Sequence, residues 1–206
     1  MLMTEIKICG LKTLEDIKMI NRLKPDYVGF VFAGAKRKIS FEQAAEMKKY
    51  LLPEIKSVGV FVNEAPGRVV FAAESGIIDL IQLHGDEDAD YIRSLKSQTD
   101  KPLIKAVRVR CAEEIAEAEK LPCDYLLLDS WQAGEYGGSG KTFPWKMIPE
   151  LTKPYFLAGG LNVENIPEAL KLCSPLAVDV SSAAETDGRK DEEKVRALIE
   201  AVREAG

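Results

Sequence analysis

Four apolar runs in this chain end in a residue able to do acid, base or nucleophilic chemistry. They are Lys7-Ile8-Cys9-Gly10, Gln82-Leu83-His84-Gly85, Leu127-Leu128-Asp129-Ser130 and Val178-Asp179-Val180-Ser181. Cys9 is followed by a glycine, which permits close backbone approach. A thiol near cationic groups has a lowered pKa and serves as base or nucleophile. Asp129 precedes a long Gly-rich stretch, and a carboxyl group in a partly closed pocket can hold a proton near neutral pH and donate it. Cys9 and Asp129 are therefore the leading acid/base candidates. His84, the single histidine, also ends a run, and its role stays open between structure and chemistry.

Side chains at i and i+2 of a strand share a face. Lys7 should thus lie one layer beneath Cys9, Gln82 beneath His84 and Asp179 beneath Ser181. Lys105 sits mid-run between Ile104 and Ala106. Buried Lys and Asp need partners, so the expectation is an internal network in which Lys7 or Lys105 faces Asp179 or Asp129. Such a network can be purely structural. Arg37, in Ala35-Lys36-Arg37-Lys38, is either a solvated surface charge or the partner of a ligand carboxylate.

The elements that must position these groups alternate. Strands are expected at 6–9, 27–32, 57–62, 80–84, 103–107, 125–129, 155–158 and 176–180. Helices are expected at 13–23, 40–51, 64–75, 87–97, 112–120, 145–151, 163–172 and 191–204. Thr13 can cap the first helix, and Ser40 with Gln43 forms a capping box on the second. Eight strand–helix units spaced by about 25 residues point to a single-domain (β/α)8 barrel spanning residues 1–206. The strands are apolar on both faces, as parallel strands under a coat of helices must be. A doubly wound open sheet is the alternative, but Cys9-Gly10-Leu11-Lys12 lacks its dinucleotide fingerprint.

In such a barrel the strand ends converge on one mouth, and phosphate sites form where the loops after strands 7 and 8 meet a helix N-terminus. Gly159, Gly160, Ser182 and Ala183 occupy those loops. Gly137-Gly138-Ser139-Gly140-Lys141-Thr142 mimics a nucleotide-binding loop, but Glu135 stands where its first glycine must be. The stretch reads instead as a lid over the mouth that excludes water and contains Gly137, Gly138 and Gly140.

Bulk properties narrow the partners. A formal net charge of −5 over 206 residues argues against nucleic acid. There is no signal-peptide pattern and no apolar run long enough for a membrane. Four dispersed cysteines without CxxC fit reduced cytoplasmic thiols better than a disulfide framework or metal site.

In their order and spacing, several segments resemble the phosphoribosylanthranilate isomerases, (β/α)8 enzymes of tryptophan biosynthesis. They are Lys7-Ile8-Cys9-Gly10, Val58-Gly59-Val60-Phe61-Val62-Asn63, Gln82-Leu83-His84-Gly85, Leu127-Leu128-Asp129, Tyr136–Phe143, Gly159-Gly160-Leu161-Asn162 and Val178-Asp179-Val180-Ser181-Ser182. The resemblance implies an Amadori rearrangement of N-(5-phosphoribosyl)anthranilate to 1-(2-carboxyphenylamino)-1-deoxyribulose 5-phosphate. It implies Asp129 as the acid that opens the furanose, Cys9 as the base at C2 and Arg37 as the holder of the anthranilate carboxylate. Asp179 and His84 fall on the anthranilate side, and loops 7 and 8 on the phosphate. Neither cofactor nor metal is expected, the partner is a small phosphosugar, and the assembly is a monomer or homodimer.

Three departures from the family pattern carry expectations. Ser181-Ser182-Ala183-Ala184-Glu185 replaces Ser-Ser-Gly-Val-Glu, so a positive φ at Ala183 would cost energy and weaken phosphate binding. Ala33-Gly34-Ala35 should loosen loop 2. Pro144 replaces an Asp before Trp145 and suits the first turn of a sixth helix. Two other readings compete: an aminoaldose isomerase of histidine biosynthesis, against which Cys9 argues, and a non-catalytic phosphosugar-binding barrel.

Overall fold

The computed structural model describes residues 3–130 and 142–206. Eight parallel strands close into a barrel: β1 (Glu5–Cys9), β2 (Tyr27–Val31), β3 (Lys56–Phe61), β4 (Leu80–Leu83), β5 (Leu103–Val109), β6 (Tyr125–Ser130), β7 (Tyr155–Leu157) and β8 (Ala177–Val180). The helices among the described residues are α1 (Leu14–Leu23), α2 (Phe41–Tyr50), α3 (Pro66–Glu74), α4 (Ala89–Lys96), α5 (Ala112–Glu119), α6 (Ile166–Leu172) and α7 (Glu192–Ala205). After β8 come a 3-10 turn at Ser182–Ala184 and a two-stranded ribbon, β9 (Glu185–Thr186) and β10 (Arg189–Lys190). Strand boundaries depart from expectation by a residue or two in either direction, because ladder hydrogen bonds rather than the side-chain pattern set them.

Both expected caps are present, and Thr13 as well as Ser40 forms a full capping box. Thr13 accepts from the Asp16 N–H and Ser40 from the Gln43 N–H, each reciprocated by the downstream side chain. Each cap is worth about 1 kcal/mol of helix stability.

Strand alternation divides the apolar residues into two bodies. Ile6, Ile8, Val28, Phe30, Leu83, Leu126 and Leu128 face outward into the helices. Val58, Leu80, Ile104, Ala106, Leu127, Phe156 and Ala177 fill the lumen, where Tyr27 and Tyr125 pack edge-on against Phe156. The same alternation sends Lys7, Cys9, Gln82, Asp129 and Asp179 inward.

It also overturns the expectation for Lys105. Its neighbours Ile104 and Ala106 occupy the lumen, so Lys105 faces out, away from Asp179 and Asp129. Its Nζ donates to the Gly85 carbonyl at 2.7 Å and to Glu87 at 2.9 Å. Glu87 in turn accepts from the Gly85 and Asn63 N–H groups. This buried pair knits the loops after β3 and β4, directly beyond His84.

The helix expected at 145–151 does not form. A single 3-10 turn, Trp145–Met147, stands in its place, with Pro144 just outside it. Pro149 explains this: it has no N–H to donate, and its ring would collide with the carbonyl four residues earlier. The helix expected from Val163 begins at Ile166. Asn162 and Asn165 hold the preceding residues in a side-chain-bonded turn, in which Asn162 accepts from the Glu164 and Asn165 N–H groups.

Candidate active site

One pocket at the C-terminal mouth of the barrel is lined by Cys9, Arg37, Gln82, His84, Asp129, Gly159, Gly160, Asp179, Ser181 and Ser182, among others. Nearly every residue singled out for chemistry therefore meets in one cavity. Ala183 does not line it. The lid residues Gly137, Gly138 and Gly140 lie outside the described residues.

Register explains the deepest group. In the β1–β8 ladder Lys7 stands opposite Asp179, and its Nζ donates to Oδ1 at 2.9 Å. Lys7 is wholly buried. Burial, the largest single influence, pulls its ammonium down, but Asp179 and then Cys9 lift it above the ordinary lysine value. Lys7 is a fixed positive charge at the floor of the pocket.

Cys9 lies above it. Here the expected lowering of the thiol pKa is corrected: Cys9 is raised above the ordinary thiol value. Burial dominates, Lys7 and Lys190 oppose it, and Asp179 adds to it. Space for Cys9 comes from Gly29, its register partner on β2. A Cβ at Gly29 would come within 2.6 Å of Sγ and 3.0 Å of the Cys9 Cα. Gly29→Ala should therefore displace the thiol, lower kcat at least tenfold and cost about 1–3 kcal/mol of stability, the usual range for overpacking. Steady-state kinetics with a thermal melt check both effects, and unchanged turnover would show that the thiol's placement is immaterial.

Asp129 ends β6, with β7 and β8 separating it from β1 around the barrel. It is buried. His84 Nε2 lies 3.2 Å from Asp129 Oδ2 without the alignment of a hydrogen bond. Gln82 Nε2 lies 2.9 Å from His84 Nδ1. His84 thus stands beside the acid candidate, while Asp179 belongs to the Cys9 side.

Arg37 is not a solvated charge. Its Nε and Nη2 donate to the two carboxylate oxygens of Glu185 at 2.7 and 2.9 Å. Gly10, at φ +90°, lets the Arg37 stem lie across the end of β1, where a Cβ would meet Cδ at 2.5 Å. Glu185 and its second partner, Lys190, escaped the sequence reading. The pair joins positions 148 residues apart, and no local pattern marks it.

In loop 7, Gly159 and Gly160 both take left-handed φ, +81° and +67°. A Cβ on Gly159 would fall 2.4 Å from the Ser130 nitrogen, so the turn presses its backbone against β6. In loop 8, Ser182 opens the 3-10 turn, whose first N–H groups have no acceptor within the turn. Ala183 has no positive φ; among the described residues the non-glycine positions that do are Lys24, Asn63 and Asp187. The strain expected from replacing the family glycine is therefore absent, because a 3-10 turn accommodates alanine. Among the described residues no group of three His, Cys, Asp or Glu side chains is placed to hold a metal, and no helix is long and apolar enough to cross a membrane.

Fold and site together place the chain among the (β/α)8 barrels that carry acid–base groups at the mouth. The family model for N-(5'-phosphoribosyl)anthranilate isomerase matches residues 6–201. The isomerase of Lachnoclostridium phytofermentans is 48% identical over 206 residues, covering 94% of each chain. That of Endomicrobium trichonymphae is 49% identical over 201 residues, covering 98% of this chain and 99% of its own. Among solved structures, the Thermotoga maritima enzyme superposes with a TM-score of 0.87 at 34% identity, covering 98% of this chain and all of that one. Another family structure, solved with reduced 1-(o-carboxyphenylamino)-1-deoxyribulose 5-phosphate, gives a TM-score of 0.83 at 31% identity, with coverage of 98% and 100%. The chain belongs to the N-(5'-phosphoribosyl)anthranilate isomerase family and is an isomerase of tryptophan biosynthesis. This decides against the histidine-pathway reading.

Proposed function

We propose that Asp129 is the general acid and Cys9 the general base of the rearrangement. The observation that carries this is their burial in one pocket, on strands β1 and β6, with glycine-lined loops beside them. Asp129 protonates the furanose ring oxygen, and the C1–O bond breaks to leave an iminium at C1. The Cys9 thiolate takes the proton from C2, giving a neutral enolamine that tautomerises to the aminoketose. The iminium is the electron sink, so the proton transfers need no external redox partner.

A raised thiol is compatible with this role. At neutral pH the thiolate is a minority species in the empty pocket, and the cationic iminium, once formed, favours it by opposite charge. Lys7 adds a second cation from below. Arg37 binds the anthranilate carboxylate, Asp179 and His84 lie toward the anthranilate, and the phosphate sits on the Gly159, Gly160 and Ser182 backbone with Ala183 close by. The partner is this phosphosugar, in the cytoplasm; the described cysteines are all free. The relative solved as monomers generated from a dimeric enzyme supports a homodimer here.

The test is direct. The gene should restore growth without tryptophan to a strain lacking this isomerase, and the purified protein should convert N-(5-phosphoribosyl)anthranilate. Binding of the reduced product analogue without turnover would instead support the non-catalytic barrel.

A further inference from the structure

Glu185 is a fully committed carboxylate at the mouth. It begins the β9–β10 ribbon, and its side chain is 7% exposed. Both oxygens accept from Arg37. Oε1 also accepts from Lys190 Nζ at 2.9 Å, and Lys190 is still more buried. Lys190 donates in addition to the Ser181 carbonyl at 2.9 Å, while the Ser181 hydroxyl donates to the Cys9 carbonyl at 3.2 Å. The cluster therefore ties loop 2, loop 8 and the end of β1 into one unit.

The contacts divide the guanidinium into two edges. Glu185 takes the side edge, Nε and Nη2. The end edge, Nη1 with the second hydrogen of Nη2, takes no part in those bonds; among the described residues Nη1 has no protein partner, and Arg37 lines the pocket. A guanidinium offers two parallel N–H groups on each edge, and each edge matches one carboxylate. Lys190 sets the charge: two cations against one carboxylate leave +1 for an incoming anion, where Arg37 and Glu185 alone would leave none.

We infer that Glu185, held by Lys190, is the positioning residue that aims the end edge of Arg37 at the carboxylate of the substrate's aromatic ring. The inference rests on the proposed role of Arg37 and extends it to the recognition of a ring acid over a neutral ring. Burial would raise Glu185, but Arg37 and Lys190 outweigh it and bring its carboxyl down to about 2. The Glu185 carboxylate is consequently charged at neutral pH.

Charge arithmetic and positioning predict opposite signs, which makes the inference testable. Removing the Glu185 charge raises the local positive charge and by itself would tighten binding of an anion. Loss of aim would weaken it. The probes are reduced 1-(o-carboxyphenylamino)-1-deoxyribulose 5-phosphate and its analogue without the ring carboxylate, measured by calorimetry. Glu185→Ala should weaken the carboxylated probe about tenfold, the scale of one charge-assisted hydrogen bond, and leave the other within about twofold. Its KM should rise by more than its kcat falls. Glu185→Gln, the milder change should alanine unfold the loop, should weaken the carboxylated probe selectively as well, and Glu185→Asp should recover part of the loss. Arg37→Ala with Glu185→Ala should bind no worse than Arg37→Ala alone.

Equal weakening of both probes by the Glu185 variants would reduce Glu185 to a structural residue and overturn the inference. So would unchanged or tighter binding of the carboxylated probe. If Arg37→Ala itself fails to discriminate the probes, the reading of Arg37 fails. If Arg37→Ala discriminates and the Glu185 variants do not, only the positioning role falls.

Discussion

Cys9→Ser is expected to lower kcat by about 10²- to 10⁴-fold, the range for loss of one acid–base group, while the reduced product analogue binds nearly as before. A serine hydroxyl keeps the shape of the thiol but scarcely ionises, so the proton at C2 has no acceptor. Asp129→Asn should cost a similar factor for the complementary reason: the amide has no proton to give to the ring oxygen. The double variant should fall far less than the product of the two losses, since groups serving one reaction are not additive. Near wild-type kcat in either single variant would remove that residue from its role.

The same assignment fixes a pH dependence. Cys9 titrates above the ordinary thiol value in the empty enzyme, chiefly through burial. Because Asp129 must give a proton and Cys9 take one in the same turnover, the thiol should show itself as a limb of the free-enzyme profile, kcat/KM against pH, lying above the ordinary thiol range. In Cys9→Ser that limb should vanish. A profile flat through the alkaline region in the wild-type enzyme would exclude a thiolate base.

How much of this site was legible beforehand follows from chemistry that is local along the chain. Cys9, Asp129 and Asp179 stand at or near the ends of apolar runs, so strand alternation and barrel closure suffice to bring them together. Parity turns Lys7 inward but leaves its partner open between Asp179 and Asp129, and the β1–β8 register selects Asp179; Lys105 lies outside because Ile104 and Ala106 claim the lumen. The missing sixth helix turned on Pro149, whose apolar neighbours Trp145, Met147 and Ile148 mimic a helical face. Glu185 and Lys190 were invisible because their meaning depends on Arg37, brought in by tertiary closure. A family glycine at the Ala183 position suggests a positive φ, but the 3-10 turn at Ser182–Ala184 does not use one.

Lys7→Met should be the most damaging change that touches none of the reacting atoms. Asp179 would keep its charge at the pocket floor with its 2.9 Å partner gone, and breaking a buried pair from one side costs about 3–5 kcal/mol. Replacing both members by apolar groups, as in Lys7→Met with Asp179→Leu, should recover much of that loss; urea unfolding measures each step. The wild-type lysine has a folded pKa above its unfolded value, so its contribution is fully present below the ordinary lysine range and fades as pH rises through the folded value. The gap between wild type and Lys7→Met should accordingly hold constant near neutrality and narrow only at strongly alkaline pH. The activity of Lys7→Met carries the second signature. Losing the cation beneath Cys9 removes an influence that holds the thiol down, so the alkaline limb of kcat/KM should move to still higher pH. A stable variant whose limb stays in place would mean that Lys7 serves the fold alone and that the thiol is tuned by burial and substrate without it.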